Sequence, residues 1–495
     1  MLSRRAFCGA AASATTLPAQ ADRPDFVFIL ADDHAGYAMQ CDGDRRAQTP
    51  NLDKLASEGT RFAAHYCNSP VCTPSRQSFL TGQMPHAAGV TTLRTSLDPA
   101  KPTIAKQLQQ AGYKTAVFGK MHFNRPGRPG LYGFDEMLTE GEINQTWPRG
   151  GTEPVTGIKT KKLPWQPFKD PARVWLNADN LPYPRVREGM RSAYLLERVR
   201  GYLEQNSSNP LALWVSFQEP HSPFDFPVGE RKFEASDFDP PQPGKEDGWQ
   251  IPLIFRDLSR EDKQGINAAY YNSVRYLDQN IGNLVQMLKD RGRWQNTFVV
   301  YMADHGYCLG HHGRFEKHCG YDPALRVPLI MRWPDKIRAG NVVRELTESV
   351  DVPHTILDML GAPELPVKHG QSLRHYLNGA QPPNPRTHIF SEYLENEEAF
   401  VRTKTHKLIF CSGKRKRTDG YETDQPTPGR YVRLYDLQND PDELNDVASK
   451  HPKIVTDMLA LLLARFRATH PEASQEPEGI TEERLEWYLR PRDAA

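Results

Sequence analysis

A thiol at the start of a predicted helix is a nucleophile candidate, and Cys72 holds that place. It lies in Val71-Cys72-Thr73-Pro74-Ser75-Arg76, with a helix expected over residues 75–80 and Leu80-Thr81-Gly82 behind it. Backbone N–H groups and the helix dipole favour an anion there. A lone cysteine is more often a buried small hydrophobe, so the rest of the chain has to decide. Two adjacent carboxylates, Asp32 and Asp33, close an apolar run, where their repulsion calls for a cation, a proton or solvent. Asp304 and His305 close another. The oxygens of Asp32, Asp33 and Asp304 suit a hard cation such as Ca²⁺ or Mg²⁺, while the softer His305 leaves Zn²⁺ or Mn²⁺ open. Two more runs end in Gly119-Lys120-Met121-His122 and Glu219-Pro220-His221, and Lys317 lies downstream of Asp304.

The elements that must position these groups are legible as continuous apolar runs of strand length at residues 25–30, 115–118, 211–217 and 297–302. Such runs predict buried, parallel strands, and in α/β sheets ligands bind at the carboxyl ends of strands. One strand ending in a charged or imidazole side chain means little; four such endings, with residue types that serve one anion and one metal, form a pattern. Capped amphipathic helices are expected after Thr49 and Thr103, over 267–290 and over 351–360. The fold expectation is α/β: a large mixed, mostly parallel sheet sandwiched by helices over residues 22–380, with a Pro- and Asn-rich linker near 381–386. A smaller C-terminal α+β subdomain over 381–495 follows, with strand-like pieces at 387–393, 399–403, 406–411 and 433–436, an antiparallel sheet, and a closing helix over 454–468.

At 495 residues the chain can bury a large core, and a net charge of +1 gives no field that steers it toward nucleic acid or a membrane surface. No apolar run is long enough to span a bilayer. Ser3-Arg4-Arg5-Ala6-Phe7, an Ala-rich stretch and Ala19-Gln20-Ala21 predict a twin-arginine leader over 1–21, hence a periplasmic or secreted protein. Apart from Cys8 in that leader and Cys72, the cysteines are Cys41, Cys67, Cys308, Cys319 and Cys411, an odd set with no disulfide framework. Cys308 and Cys319 either pair or stay as buried thiols. Between 141 and 184 periodicity fails; Trp147, Trp165 and Trp175 with Lys159, Lys161 and Lys162 mark either a connecting loop or a substrate-facing insertion. Gly413-Lys414-Arg415-Lys416-Arg417 predicts a charged turn between strands.

Cys-x-Pro-Ser-Arg at 72–76 resembles the modification signature of the type I sulfatases, the formylglycine-dependent enzymes of the alkaline-phosphatase superfamily. Asp32-Asp33, Gly119-Lys120-x-His122, Pro220-His221 and Lys317 are similar to that family's active-site segments, and the Asp304-His305 pair is similar to its iduronate-type and choline-type branch. Gln83 stands where the family often has Arg. The resemblance implies an alkaline-phosphatase-like fold and one Ca²⁺ held by Asp32, Asp33, Asp304, His305 and the modified side chain of Cys72. It further implies a maturation enzyme that converts Cys72 to formylglycine, whose hydrate attacks the sulfur of a sulfate monoester. Arg76 and Lys120 then hold charge beside residue 72; Lys120, His221 and Lys317 stabilise the sulfuryl group; His221, with Lys317, protonates the leaving alcohol; His122 removes the second hydroxyl proton. A sulfated carbohydrate is the expected substrate, with aryl or alkyl sulfates open. Phosphonate monoester or phosphodiester hydrolysis, and a non-catalytic binding protein with an intact Cys72 thiol, are the competing readings.

Overall fold

Eight residues, Asp25–Asp32, form the central strand β1, and all eight are buried. The structure, a computed structural model, describes residues 23–150, 154–162, 175–206, 209–244, 251–415, 421 and 430–493. The predicted leader, Trp165, Lys416 and Arg417 lie outside them. The other strands are β2 (Thr60–Phe62), β3 (His65–Tyr66), β4 (Lys114–Gly119), β5 (Glu136–Thr139), β6 (Leu211–Pro220), β7 (Thr297–Ala303), β8 (Leu329–Arg332), β9 (Asn341–Val343), β10 (Thr347–Glu348), β11 (His388–Tyr393), β12 (Glu398–Thr403), β13 (His406–Cys411) and β14 (Tyr431–Asp436).

Among the described residues the main sheet runs in the order β5-β4-β6-β1-β7-β8-β2-β9. β5, β4, β6, β1 and β7 are parallel neighbours, and β8 is antiparallel to both β7 and β2. The four apolar runs read from the sequence are therefore β4, β6, β1 and β7, side by side and pointing the same way. This places the endings of four segments, far apart in sequence, along one edge. Side chains of β1 alternate between two cores. Val27 and Ile29 pack with Leu195 and Val199 of the helix Arg191–Gln205 and with Leu277 and Ile281 of the helix Arg260–Asp290. Phe26 and Phe28 pack on the opposite face with Phe79 and Leu80 of the helix Cys72–Thr81 and with Ile104 and Ile356.

The helix predicted over 267–290 begins seven residues earlier, at Arg260, where Ser259 and Asp262 form a reciprocal capping box. Polar residues in its first turns hid that start. Glu140–Gly150 is a helix within the stretch read as lacking periodicity; Ile143, one of its few apolar residues, is buried in the core. Cys308 and Cys319 are free thiols with their sulfurs 3.8 Å apart.

β11 to β14 form an antiparallel sheet. Leu408 and Phe410 of β13 face Leu459 and Phe466 of the helix Pro452–Thr469, whereas Ile409 faces the main core. Lys407 is fully buried; its ammonium lies 2.9 Å from Asp322 Oδ1 and pairs with Glu443. Removing a partner from a buried pair leaves an uncompensated charge and costs about 3–5 kcal/mol. Lys407→Met is expected to destabilise the protein by about that amount, because Asp322 and Glu443 are then left facing each other; urea unfolding checks it, and a loss below about 1 kcal/mol refutes the assignment.

Candidate active site

Gly119 ends β4 at φ 107°, and a Cβ there would sit 1.9 Å from the Ser216 carbonyl oxygen. Only glycine lets β4 approach β6 this closely, and the approach aims the next residue, Lys120, across the sheet edge. Its ammonium pairs with Asp32 at the end of β1. From the other side of β1, Asp304 follows β7, and its Oδ1 accepts from the backbone N–H groups of His305 at 2.9 Å and Asp33 at 3.3 Å. Asp33 itself is in the left-handed region at φ 64°. The Tyr270 hydroxyl steadies this bend by donating to the Asp33 carbonyl at 2.7 Å and accepting from the Ala35 N–H at 2.9 Å.

The helix Cys72–Thr81 enters this edge with its first turn. Cys72 is 2 % exposed. Its sulfur is 3.1 Å from His305 Nε2 and 3.6 Å from Asp32 Oδ1. Ser75 Oγ donates to the Asp304 carbonyl at 2.5 Å. Arg76, wholly buried, donates from Nε to Asp304 Oδ2 at 2.9 Å and from Nη1 to Ser216 Oγ at 2.9 Å and to the Lys120 carbonyl; its Nη2 is 3.3 Å from Asp32 Oδ2. One guanidinium thus ties β1, β4, β6 and β7 to the helix that carries Cys72, a task suited to its fixed fork of donors. Lys317 donates to both oxygens of Asp33, at 2.7 and 2.9 Å. His221 Nε2 stands 3.9 Å from Asp33 Oδ2, while its Nδ1 is 2.6 Å from the Ser222 carbonyl.

His122 is held through its backbone. It is at φ 55°, its N–H donates to Glu140 Oε1 at 2.8 Å, and the Met121 N–H donates to Glu140 Oε2 at 3.0 Å. Its Nδ1 is buried and has no hydrogen-bond partner among the described residues.

Three buried carboxylates, Asp32, Asp33 and Asp304, face three buried cations, Arg76, Lys120 and Lys317. Burial alone would raise Asp32, but Lys120, His221 and Arg76 hold it well below the carboxylate range. For Asp33, burial outweighs Lys317 and His305 and lifts the group to about 7. Burial opposes charge on Lys317, yet Asp33 keeps it well above an ordinary lysine. Burial and the Lys120 ammonium push His122 down to about 4, so it is a neutral imidazole at neutral pH. Burial, Lys120 and Lys317 likewise push His221 well down.

Asp32, Cys72, Asp304 and His305 offer ligand atoms all within 4.8 Å of one another, as do Asp32, Asp33, Cys72 and His221. The donor set fits one divalent cation. With a thiol it has a soft member; with an oxygen in place of sulfur at position 72 it becomes the harder set that Ca²⁺ and Mg²⁺ prefer.

The structure thus brings together Asp32, Asp33, Cys72, Arg76, Lys120, His221, Asp304, His305 and Lys317, with His122 two residues beyond Lys120. Sequence reasoning missed Glu140, Ser216 and Tyr270, whose roles depend on contacts that no local pattern announces, and it read Ser75 only as part of the signature. Lys161, in the stretch left open between a connecting loop and a substrate-facing insertion, is buried against Asp225.

Residues 24–362 match the family model for sulfatases, and residues 310–468 match that for the C-terminal part of N-sulphoglucosamine sulphohydrolase. An N-acetylglucosamine-6-O-sulfatase of Bacteroides thetaiotaomicron is 27% identical over 496 residues, covering 86% of this chain and 83% of its own. Among solved structures, the phosphonate monoester hydrolase of Agrobacterium radiobacter superposes with a TM-score of 0.74 at 24% identity, covering 92% of this chain and 98% of its own. A protein solved with its substrate D-glucosamine-2-N,6-O-disulfate superposes with a TM-score of 0.69 at 23% identity, covering 91% and 99%. At these identities the superpositions speak for the shared fold.

Proposed function

Because the chain belongs to the sulfatase family and hydrolyses sulfate monoesters, we propose that it acts on a sulfated carbohydrate through a formylglycine made from Cys72 and one Ca²⁺. The observation that carries this reading is the convergence of Cys72 with Asp32, Asp304 and His305 inside 4.8 Å, ringed by Lys120, Lys317 and His221. When present, the formylglycine hydrate supplies two hydroxyls on one carbon and the cation supplies Lewis acidity.

The chain's own residues do the rest. Arg76 and Ser75 fix the helix that presents residue 72. The three buried cations balance the three buried carboxylates, so a bound divalent ion leaves an excess positive charge that favours a sulfate anion. Lys120 and Lys317 stand where negative charge gathers on the sulfuryl oxygens. His221 is neutral in the free site; an arriving anion opposes the pull of Lys120 and Lys317 and lets it carry the proton that the leaving oxygen needs. His122, already neutral, takes the proton that releases sulfate from residue 72.

The depressed pKa of His122 has a measurable consequence. A base is lost when it is protonated, and His122 acts after the alcohol has left, so the acid limb it causes belongs to kcat and is expected only near about pH 4 rather than in the ordinary histidine range. An acid limb near 6.5 assigned to His122 by its loss in His122→Ala refutes this placement.

We further propose that residues 1–21 export the protein to the periplasm or beyond, and that it divides into a catalytic part over 22–380 and a C-terminal part over 381–495. No helix among the described residues is long and apolar enough to cross a membrane. The deciding experiment expresses the chain with a formylglycine-generating enzyme, verifies residue 72 by peptide mass, and measures sulfate released from a panel of sulfated glycans alongside turnover of an aryl phosphodiester. Phosphodiester turnover exceeding sulfate release by orders of magnitude transfers the assignment to the phosphonate-hydrolase reading. Full activity with an intact Cys72 thiol overturns the mechanism.

A further inference from the structure

Beside His221 lies a cavity of ≈ 60 Å³ whose walls include Trp147, Tyr183, Arg191 and Glu219. At that size the cavity is suited to a compact charged substituent. His221 lines both this cavity and the reacting centre, so the cavity adjoins the group proposed to protonate the leaving oxygen.

The charges on its walls are unequally satisfied. Glu219 accepts from Ser192 Oγ at 2.6 Å, and Asp225 pairs with Lys161. Arg191 is half-buried and donates from Nη1 to Asn144 Oδ1 at 2.9 Å, a neutral amide; among the described residues no carboxylate forms an ion pair with it. Arg191 is also the first residue of the helix Arg191–Gln205, whose first turn holds no acidic residue. A cation there adds to the positive end of the helix dipole; burial disfavours its charge, and Glu219, Glu140 and Asp32 favour it without forming an ion pair with it.

We propose that this cavity is a second anion subsite, in which Arg191 binds a carboxylate or a second sulfate carried by the leaving group of the ester. The inference rests on the sulfatase reading and narrows it to doubly charged substrates. The planar guanidinium offers two parallel donors to either anion, and Trp147 and Tyr183, with ring centroids 5.8 Å apart, supply an apolar flank for the adjoining ring carbons.

The test uses the formylglycine-bearing enzyme and three probes: D-glucosamine-2-N,6-O-disulfate, a 2-O-sulfated hexuronate, and 4-nitrophenyl sulfate, which lacks a second anion. Arg191→Gln is expected to lower kcat/KM for at least one doubly charged probe by about 10- to 100-fold, mainly through KM, and for 4-nitrophenyl sulfate by no more than about 3-fold. Arg191→Lys should recover part of that loss. Equal losses on all three probes, or no loss on either doubly charged one, overturn the subsite. Failure of the sulfatase reading itself looks different: wild type with verified formylglycine then releases no sulfate from any probe. Calorimetric binding of the same probes to Cys72→Ala still decides the subsite in that case, where an Arg191-independent affinity rejects it.

Discussion

Cys72→Ala is expected to leave the fold intact and to reduce sulfate release by at least about 10⁴-fold, to the level of whatever binding and charge stabilisation remain. The reason is chemical. Every other group of the site acts on a substrate already engaged by residue 72, and the alanine methyl offers neither an attacking atom nor a donor toward Asp32 and His305. Cys72→Ser is expected to be equally inactive in multiple turnover. A serine hydroxyl can accept the sulfuryl group but leaves no second hydroxyl on the same carbon for His122 to deprotonate, so the covalent sulfate stays on the protein. The two variants separate in the mass spectrum: serine protein treated with substrate gains the mass of one SO3 group, about 80 Da, and alanine protein does not. Active wild type should carry a Cys72 peptide lighter by about 18 Da than the encoded one, the change from thiol to aldehyde. Turnover by Cys72→Ser at a wild-type rate would refute the aldehyde mechanism.

Arg76 is expected to give the largest single loss of stability at the site. Arg76→Met removes the donors to Asp304 Oδ2, Ser216 Oγ and the Lys120 carbonyl, and takes the countercharge from Asp32 Oδ2. All of these groups stay buried, so none regains water. Truncating one member of such an array costs about 3–5 kcal/mol. Arg76→Lys should recover little, because one ammonium cannot point at β1, β4 and β7 together. Urea unfolding of the unmodified protein reads the loss without depending on catalysis. A cost below about 1 kcal/mol would show that Lys120 and solvent replace the guanidinium.

Much of the sheet was legible because its central strands are buried on both faces, and residues 25–30, 211–217 and 297–302 therefore read as unbroken apolar runs. Their polar endings could be aligned on paper because parallel neighbours share an edge. The reversal of β8 was not legible: Leu329-Ile330-Met331 is apolar in either direction, and pairing partners decide which way a buried strand runs. The short strands β2, β5 and β9 were missed because three or four residues carry no period. In the site, charged and imidazole groups at strand ends announced themselves, while supporting groups did not. Ser216 sits inside an apolar strand and acquires its role only when Arg76 arrives from a distant helix. Glu140 looks like an ordinary acidic helix start, yet both its oxygens accept from the chain around His122. Lys161 was left undecided between a connecting loop and a substrate-facing insertion, and nothing local announces that it turns inward against Asp225.

The buried lysine of β13 bears on modularity. Asp322, which Lys407 neutralises, opens the short helix that follows the segment carrying Lys317, and its backbone N–H donates to Glu443 Oε2 at 2.7 Å. Within that segment the His318 ring lies 5.7 Å from that of Tyr393 on β11. The C-terminal part of the chain is thus the back wall of the reaction chamber rather than an appendage. A chain trimmed after the main sheet would lose the scaffold of Lys317, and grafting this C-terminal part onto a relative would transplant a piece of the catalytic floor with it.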